Sequence, residues 1–328
     1  MLKVENLAVH FPSRRGTVKA VNDVSFTVAP GEILGLVGES GCGKSMTLLA
    51  LMGLIPYPGQ IVAGEVNFQG QNLRELTGNE LRQIRGREIA MIFQDPLTTL
   101  NPVFKVGEQV AEALRVHNIV EREKKGLFSR SFSGAIREEV VKLLQDVGIP
   151  APEERLEEYP HQFSGGMQQR AIIAIALSCR PKLLLADEPT TALDVTVQAQ
   201  ILDLLGEINK RDGTGIILVT HNLAVAADFC QRLAVMYAGQ LMELGPAETV
   251  ITEALHPYTA GLMRSLPYLV PKGSPLTPIP GNVPDLAQLP PGCPFSPRCD
   301  VATDICHSQA PPWVETMSGH AARCWRLT

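Results

Sequence analysis

The pattern of hydrophobic and polar positions changes along the chain from alternation to short apolar runs. Residues 2–11 and 21–28 alternate apolar with polar side chains, which predicts antiparallel strands near the edge of a sheet. The run at residues 32–37, which is free of polar side chains from Ile33 onward, predicts a buried strand. Further strands are predicted at residues 64–68, 89–93, 183–186 and 215–220.

Helical patterns lie between these predicted strands. A helix is expected at residues 46–52, and TGNE at residues 77–80 forms a capping box that opens a short helix. Residues 104–178 are helical and polar-faced, with a charged surface insertion at 121–137, and an amphipathic helix is expected at 195–211. Alternating strands and helices predict an α/β core that carries a helical insert.

Composition limits the classes of function. The chain has 328 residues, 45% of them hydrophobic, and a net charge of −5, so it lacks the general basic field of a nucleic-acid-binding protein. It has no apolar run long enough to span a bilayer and no signal-peptide core, which predicts a soluble, cytosolic protein. Seven cysteines in such a chain favour a metal site over a disulfide framework.

The sequence GESGCGKS at residues 38–45 stands between an expected strand and an expected helix, which is the context that a phosphate-binding loop requires. Its backbone N–H groups would face phosphate oxygens at a helix N-terminus. Lys44 would reach the outer phosphates, and Ser45 would bind Mg²⁺. The predicted nucleotide-binding residues of this loop are Gly38, Ser40, Gly41, Cys42, Gly43, Lys44, Ser45 and Met46.

Two further motifs fit the chemistry of phosphoryl transfer. An apolar strand ends in adjacent carboxylates, of which Asp187 is suited to Mg²⁺ and Glu188 to polarising the attacking water. FSGG, which contains Ser164, Gly165 and Gly166, stands before an expected helix at residues 171–178 and forms a second anion site. Two phosphate sites in one chain suggest that two chains share their nucleotides.

Six motifs in one order, GESGCGKS, FQDP, FSGGMQQR, LLLADEPT, TALD and TH, resemble the ATP-binding subunits of ABC transporters. The resemblance covers roughly residues 1–255. It implies an α/β P-loop NTPase core of the ABC type with an antiparallel β edge subdomain and a helical signature subdomain at about 95–180. Residues 256–328 would form a separate extension.

The resemblance also implies roles for individual residues. Gln94 would contact Mg²⁺ and the water, Asp194 would meet the other subunit's P-loop, and His221 would touch the γ-phosphate. Phe11, which ends the first strand, is the candidate for stacking on adenine, although it also suits the core. The catalytic set is therefore Lys44, Gln94, Glu188 and His221.

The family implies a mechanism as well as a fold. Two nucleotide-binding subunits would close head-to-tail around two ATP molecules and drive a transmembrane partner between inward-facing and outward-facing states. Residues 96–104 would contact the membrane subunit.

The last 70 residues or so have a different composition, with ten prolines between Pro267 and Pro297. Four of the seven cysteines also fall here: Cys293, Cys299, Cys306 and Cys324. Four thiolates suit Zn²⁺ or an iron–sulfur cluster, and their spacing does not decide between the two. His320, close to Cys324, is a weaker ligand candidate and more typical of a surface or supporting residue.

HPYTAGL and GCPFSPRC resemble the C-terminal extension of the peptide and nickel uptake branch of ABC ATPases, and most of all its D-type subunits from dipeptide and oligopeptide permeases. This resemblance implies a 4Fe-4S cluster on the four cysteines and import of di- or oligopeptides, with nickel or another small solute as the alternative. A non-transport ABC ATPase is a further alternative, but such proteins normally carry two cassettes or a long coiled-coil insertion, and the sequence shows neither. It also implies a homologous F-type ATPase or a second copy of the chain as partner, two permease subunits, an extracytoplasmic solute-binding protein, and a peripheral location at the cytoplasmic face of the inner membrane.

Overall fold

The structure is a computed structural model that describes residues 1–95, 99–119, 134–191, 193–265, 278–316 and 319–328. It divides into two units, of which unit one comprises Met1–Glu75 with Leu218–Thr328 and unit two comprises Leu76–Ile217. Most of the expected insertion at 121–137 and residues 96–98 of the expected membrane-contact segment lie outside the described residues. The predicted domain boundary at residue 255 stays a prediction.

Strands and helices alternate along the described chain. The strands are β1 (Leu2–Ser13), β2 (Gly16–Val28), β3 (Ile33–Val37), β4 (Gln60–Phe68), β5 (Gln71–Asn72), β6 (Ile89–Ile92), β7 (Leu183–Asp187), β8 (Gly215–Thr220), β9 (Arg232–Tyr237), β10 (Gln240–Pro246), β11 (Trp313–Glu315) and β12 (Ala321–Arg323). The helices are α1 (Lys44–Leu51), α2 (Gly78–Ile84), α3 (Val106–Val116), α4 (Gly134–Asp146), α5 (Pro152–Arg155), α6 (Gly165–Leu177), α7 (Val195–Asp212), α8 (Leu223–Phe229), α9 (Ala247–Thr252), α10 (Pro257–Arg264) and α11 (Asp304–Ser308).

The antiparallel edge predicted from the alternating pattern is present in unit one. β1 pairs antiparallel with β2, from Leu2 opposite Val28 to Ser13 opposite Gly16, and also with β4. The strands run a few residues beyond the predicted bounds, because a tight turn at residues 14–15 lets the hairpin pairing continue to its end.

A second sheet of unit one carries the apolar strands. β3, which is buried along its whole length, pairs in parallel with β9, and the order continues through β10 to β12 and β11. A strand covered on both faces has no polar side, which explains the unbroken apolar run of residues 33–37. Because β12 pairs with β10, with Ala322 opposite Glu243, the proline- and cysteine-rich extension is ordered in part by strand addition.

Unit two combines a parallel strand pair with helices. β6 and β7 pair in parallel and are buried throughout. α3, α4 and α6 contribute apolar side chains to the core of this unit, among them Val110, Leu114, Val140, Leu144 and Ile172. The helix opened by the capping box is also present, since Thr77 and Glu80 cap α2 reciprocally. The helical insert predicted from the sequence is therefore confirmed over the described residues.

Within unit one, a buried carboxylate of β10 connects this strand to the extension. Glu243 is 0% exposed and accepts hydrogen bonds from the backbone N–H groups of Leu255 and His256. His320 Nε2 lies 2.6 Å from Glu243 Oε1. Of the two alternatives expected for His320, the surface position is wrong and the supporting role stays a prediction. Its imidazole is 1% exposed and packs over Gly245, because Glu243 supplies the partner that burial requires.

His256 caps α10 from inside the protein. Its Nδ1 accepts a hydrogen bond from the backbone N–H of Tyr258 at 3.0 Å, so the capping nitrogen carries no proton. Burial lowers the pKa of His256 from 6.5 to about 3. The imidazole is therefore neutral in the folded protein at any pH near neutrality.

This depressed pKa predicts a loss of stability in mild acid. Below its usual pKa the unfolded chain binds a proton at His256 that the folded chain does not, so the stabilisation is complete above pH 6.5 and is lost as pH falls toward 3. We expect this residue to lower the free energy of unfolding by about 1.4 kcal/mol between about pH 7.5 and about pH 5.5. Urea unfolding at the two pH values measures the change.

The matched variant is His256→Asn, because asparagine is also a good N-cap but does not titrate. Its unfolding free energy should change less between the two pH values than that of the wild type. Equal losses in both proteins would show that His256 is not the cause.

Candidate functional site

The GESGCGKS loop joins β3 to α1 and depends on its glycines. Gly38, Gly41 and Gly43 have φ angles of 149°, 77° and 106°. At Gly43 a Cβ atom would also lie 2.3 Å from the carbonyl oxygen of Ala20, which leaves no room for any side chain. The loop therefore bends tightly enough to bring its backbone to the N-terminus of α1.

Lys44, the first residue of α1, folds its side chain back over this loop. It is 6% exposed, and its Nζ donates hydrogen bonds to the carbonyl oxygens of Gly38 at 2.8 Å and Glu39 at 2.9 Å. Ser40 and Gly41 are exposed at the tip, whereas Ser45 and Met46 are half-buried on α1. A charged ammonium held at a helix N-terminus is suited to a phosphate.

Cys42 is the buried member of the loop. Its side chain is 0% exposed, and burial raises the pKa of its thiol, so the sulfur is protonated near neutral pH. Its backbone N–H donates to Glu39 O at 3.3 Å. Cys42 therefore packs under the loop as a small apolar residue.

Two other predicted nucleotide contacts belong to unit one. Phe11 lies opposite Val18 in the β1–β2 hairpin and is half-buried, with its ring directly over Gly59, where a Cβ would come within 2.4 Å of it. His221 follows β8 directly and is exposed. Adenine stacking by Phe11 and γ-phosphate contact by His221 stay predictions.

In unit two, the structure brings Gln94 and Glu188 together. Gln94 Nε2 donates to Glu188 Oε2 at 3.1 Å, and Thr191 Oγ1 donates to the same oxygen at 2.9 Å. Glu188 follows the buried Asp187 at the end of β7 and has a φ of 46°, an uncommon value for a side-chain-bearing residue. Two hydrogen bonds thus fix the carboxylate that the sequence assigns to the attacking water.

Thr191 was not among the predicted site residues. Its position three residues after Glu188, within the motif TALD, is a signal that the sequence did contain.

The signature segment caps a longer helix than expected. α6 begins at Gly165 and not at residue 171, so Gly165 and Gly166 form its first turn. Ser164 is the N-cap and accepts a hydrogen bond from Met167 N at 3.3 Å. First-turn N–H groups have no partner inside their own helix, so this end of α6 is suited to an anion.

The signature also packs closely on the start of α7. A Cβ at Gly166 would lie 2.9 Å from Val197 Cγ1, so the two helices approach here because position 166 has no side chain. Asp194 caps α7 by accepting from Val197 N at 3.0 Å. The structure therefore places the predicted Ser164–Gly166 segment and Asp194 around one residue, Val197.

The four cysteines of the extension converge. Cys293, Cys299, Cys306 and Cys324 all line one small cavity. The backbone N–H groups of Phe295, Val301 and Arg326 act to lower the pKa of Cys293, Cys299 and Cys324 respectively, but burial outweighs them. Burial raises the pKa of Cys293 to about 12 and also raises the pKa of Cys299 and Cys324, so these three thiols are protonated near neutral pH.

The four cysteines lie near one another but do not form a ready metal site. Over the part of the chain that the structure describes, no three His, Cys, Asp or Glu side chains are already arranged to hold a metal ion. Among the same residues, none of the helices combines the length and the apolar character needed to cross a bilayer.

Comparison with known proteins gives this geometry a context. The family model for the ABC transporter matches residues 21–191, and that for the oligopeptide/dipeptide transporter, C-terminal region, matches residues 242–306. The chain is 48% identical to a dipeptide transport ATP-binding protein of Bacillus subtilis, covering 99% of this chain and 94% of the relative. It is likewise 48% identical to an oligopeptide transport ATP-binding protein of Escherichia coli, covering 99% of this chain and 93% of the relative.

Solved structures agree with the fold. The dimeric, ADP- and phosphate-bound ATP-binding cassette MJ0796 superposes with a TM-score of 0.65 at 29% identity, covering 75% of this chain and 99% of that one. The predicted α/β fold of the ABC type is thereby confirmed. The chain belongs to the ABC transporter family, and within it to the ATP-binding proteins that carry the oligopeptide/dipeptide transporter C-terminal region.

Proposed function

We propose that this chain is the ATP-hydrolysing subunit that energises import of di- and oligopeptides through an ABC transporter. One observation carries the proposal: the peptide-transporter C-terminal region at residues 242–306 follows a complete set of nucleotide motifs in the same chain. The similarity to peptide transport ATP-binding proteins over 99% of the chain supports the same substrate class.

The catalytic residues act by position and charge. Lys44 exchanges its loop carbonyls for the outer phosphates of ATP, so its ammonium offsets the charge that develops during phosphoryl transfer. Glu188, held by Gln94 and Thr191, accepts a hydrogen bond from the attacking water and orients it in line with the leaving group. His221 completes the set at the γ-phosphate.

The magnesium ion that accompanies ATP requires hard oxygen ligands. Ser45 supplies a hydroxyl, Gln94 an amide oxygen and Asp187 a carboxylate, which match the preference of Mg²⁺. When bound, the ion offsets phosphate charge in the transition state.

A second subunit completes each nucleotide site. The N-terminus of α6, with Ser164, Gly165 and Gly166, is directed to the ATP held by the partner, and Asp194 contacts the partner's P-loop. The relative MJ0796 was solved as a dimer. The partner is a homologous F-type ATPase subunit or a second copy of this chain. The pair associates with two permease subunits at the cytoplasmic face of the inner membrane. An extracytoplasmic solute-binding protein delivers the peptide to these permease subunits.

Reconstitution with the co-encoded permease and solute-binding proteins tests the substrate and the mechanism together. We expect di- and oligopeptides to stimulate ATP hydrolysis and Glu188→Gln to lower turnover by about 100-fold or more, because the water loses its hydrogen-bond acceptor. The dissociation constant for ATP should change little in that variant.

The matched control is Glu207→Gln, an exposed glutamate of α7, which should hydrolyse ATP at the wild-type rate. Stimulation by nickel chelates and not by peptides would contradict the peptide substrate. Undiminished hydrolysis by Glu188→Gln would contradict the assignment of the catalytic carboxylate.

We further propose that the four cysteines hold a 4Fe-4S cluster, with Zn²⁺ as the alternative. The donor set supports this, because four soft sulfur ligands suit either group and all four line one small cavity. Binding would release the thiol protons and draw the four sulfurs closer. Its role is structural: it would add to the strand pairing of β12 with β10 in ordering the proline-rich extension.

Metal analysis of anaerobically purified protein tests this assignment. We expect iron and sulfide with broad visible absorption, both lost in Cys293→Ser and retained in the control Cys179→Ser, which lies in unit two. A colourless protein with stoichiometric zinc would show that the four cysteines bind Zn²⁺ and not an iron–sulfur cluster. Absence of both iron and zinc would refute a metal site.

A further inference from the structure

Glu39, the second residue of the P-loop sequence, is held by the C-terminal extension. The Arg298 guanidinium binds its carboxylate through two parallel hydrogen bonds, Nη1 to Oε2 at 2.8 Å and Nη2 to Oε1 at 3.0 Å. The Arg298 side chain is 5% exposed. Its Nε donates to Pro280 O at 2.8 Å, and Nη1 also reaches Tyr237 Oη at 3.2 Å. Such a fork fixes direction as well as distance.

The main chain of Glu39 is held as well. Its backbone N–H donates to Tyr258 Oη at 3.0 Å, and Tyr258 is 0% exposed. The ring of Tyr258 lies 4.6 Å from that of Tyr237 and 5.3 Å from that of Phe295. Phe295 also packs edge-on against Tyr237 at 5.3 Å, so the three rings form one rigid cluster.

These contacts reach the catalytic lysine through a single residue. Glu39 O accepts hydrogen bonds from Lys44 Nζ and from Cys42 N. Glu39 therefore contacts both the extension and the rest of the loop. Two residues of the extension, 219 and 259 positions away in sequence, thereby contact the residue on which the loop folds.

The same short segment contains two of the four thiols. Phe295 and Arg298 lie between Cys293 and Cys299 in the sequence, and Phe295 lines the same small cavity as the four thiols. Any change in the order of residues 293–299 therefore acts on Arg298 directly, and on Tyr258 through its ring contact with Phe295.

We propose that Arg298 and Tyr258 are positioning residues for the nucleotide-binding loop, and that they link the order of the thiol-bearing segment to the affinity for ATP. The proposal rests on the proposed function, because it takes residues 38–45 as the ATP site. Linkage makes the effect reciprocal: ATP that is held by an ordered loop also stabilises the segment that orders it.

Two conservative variants of the full-length chain test the proposal. Arg298→Lys keeps the charge but loses the two-pronged contact, and Tyr258→Phe keeps the ring but loses the acceptor for Glu39 N–H. We expect each to raise the dissociation constant for ATP by about 5- to 10-fold, at the low end of typical coupling between sites. Turnover at saturating ATP should fall less, because neither residue contacts the reacting atoms.

Backbone hydrogen exchange separates positioning from general stability. Without nucleotide, exchange in residues 38–45 should be faster in both variants than in the wild type, and ATP should slow exchange in residues 293–299 only in the wild type. A purely structural role would lower the melting temperature and leave these two segments and the ATP affinity of the folded protein unchanged.

Arg264→Lys is the matched control, because Arg264 pairs with Asp300 in the same extension at 3.6 Å but both side chains are exposed. It should leave ATP affinity and exchange at the wild-type values. Wild-type affinity and exchange in both Arg298→Lys and Tyr258→Phe would overturn the proposal. If the wild type does not bind ATP, or Lys44→Ala binds it equally well, the proposed function fails instead.

Discussion

The structure of unit one depends on how closely the backbone can approach itself around the loop at residues 38–45. Gly43 lies against the carbonyl of Ala20, and Gly38 lies against that of Met236, each nearer than any Cβ allows. This closeness turns the chain from β3 into α1 within a few residues and directs the helix N-terminus and Lys44 to one point. The surrounding strands, the cluster of Tyr237, Tyr258 and Phe295, and the hydrogen bonds to Glu39 all stabilise this close backbone contact.

Local sequence predicts the features that local forces determine. The strands at residues 33–37 and 215–220, the capping box of α2 and the glycine-rich loop each rest on neighbouring residues, and the structure has them. The start of α6 differs because two glycines disfavour a helix on propensity alone, whereas the Ser164 cap and the close packing on Val197 favour it.

Long-range partners were beyond reach of the sequence. A polar residue such as His320 is expected at the surface, and its burial is favourable because Glu243, 77 positions earlier, binds its ring. Nothing in the local sequence around Arg298, which lies in a proline-rich segment, predicts its contact with Glu39. Such pairs carry no periodicity or fixed spacing, so a single sequence contains no signal for them. The candidate site shows the same limit, since the role of Gln94 follows from family resemblance, whereas its contact with Glu188 depends on the fold.

The arrangement of the two units has a consequence for biosynthesis. Unit two is one continuous stretch, residues 76–217, whereas unit one needs residues from both sides of it and pairs β12 with β10 only when residue 323 has been made. On the ribosome, unit two emerges whole while unit one is still missing its later strands. The P-loop is thus among the first segments synthesised but among the last to gain its supports, so a nascent chain exposes an unfinished sheet until translation reaches the extension.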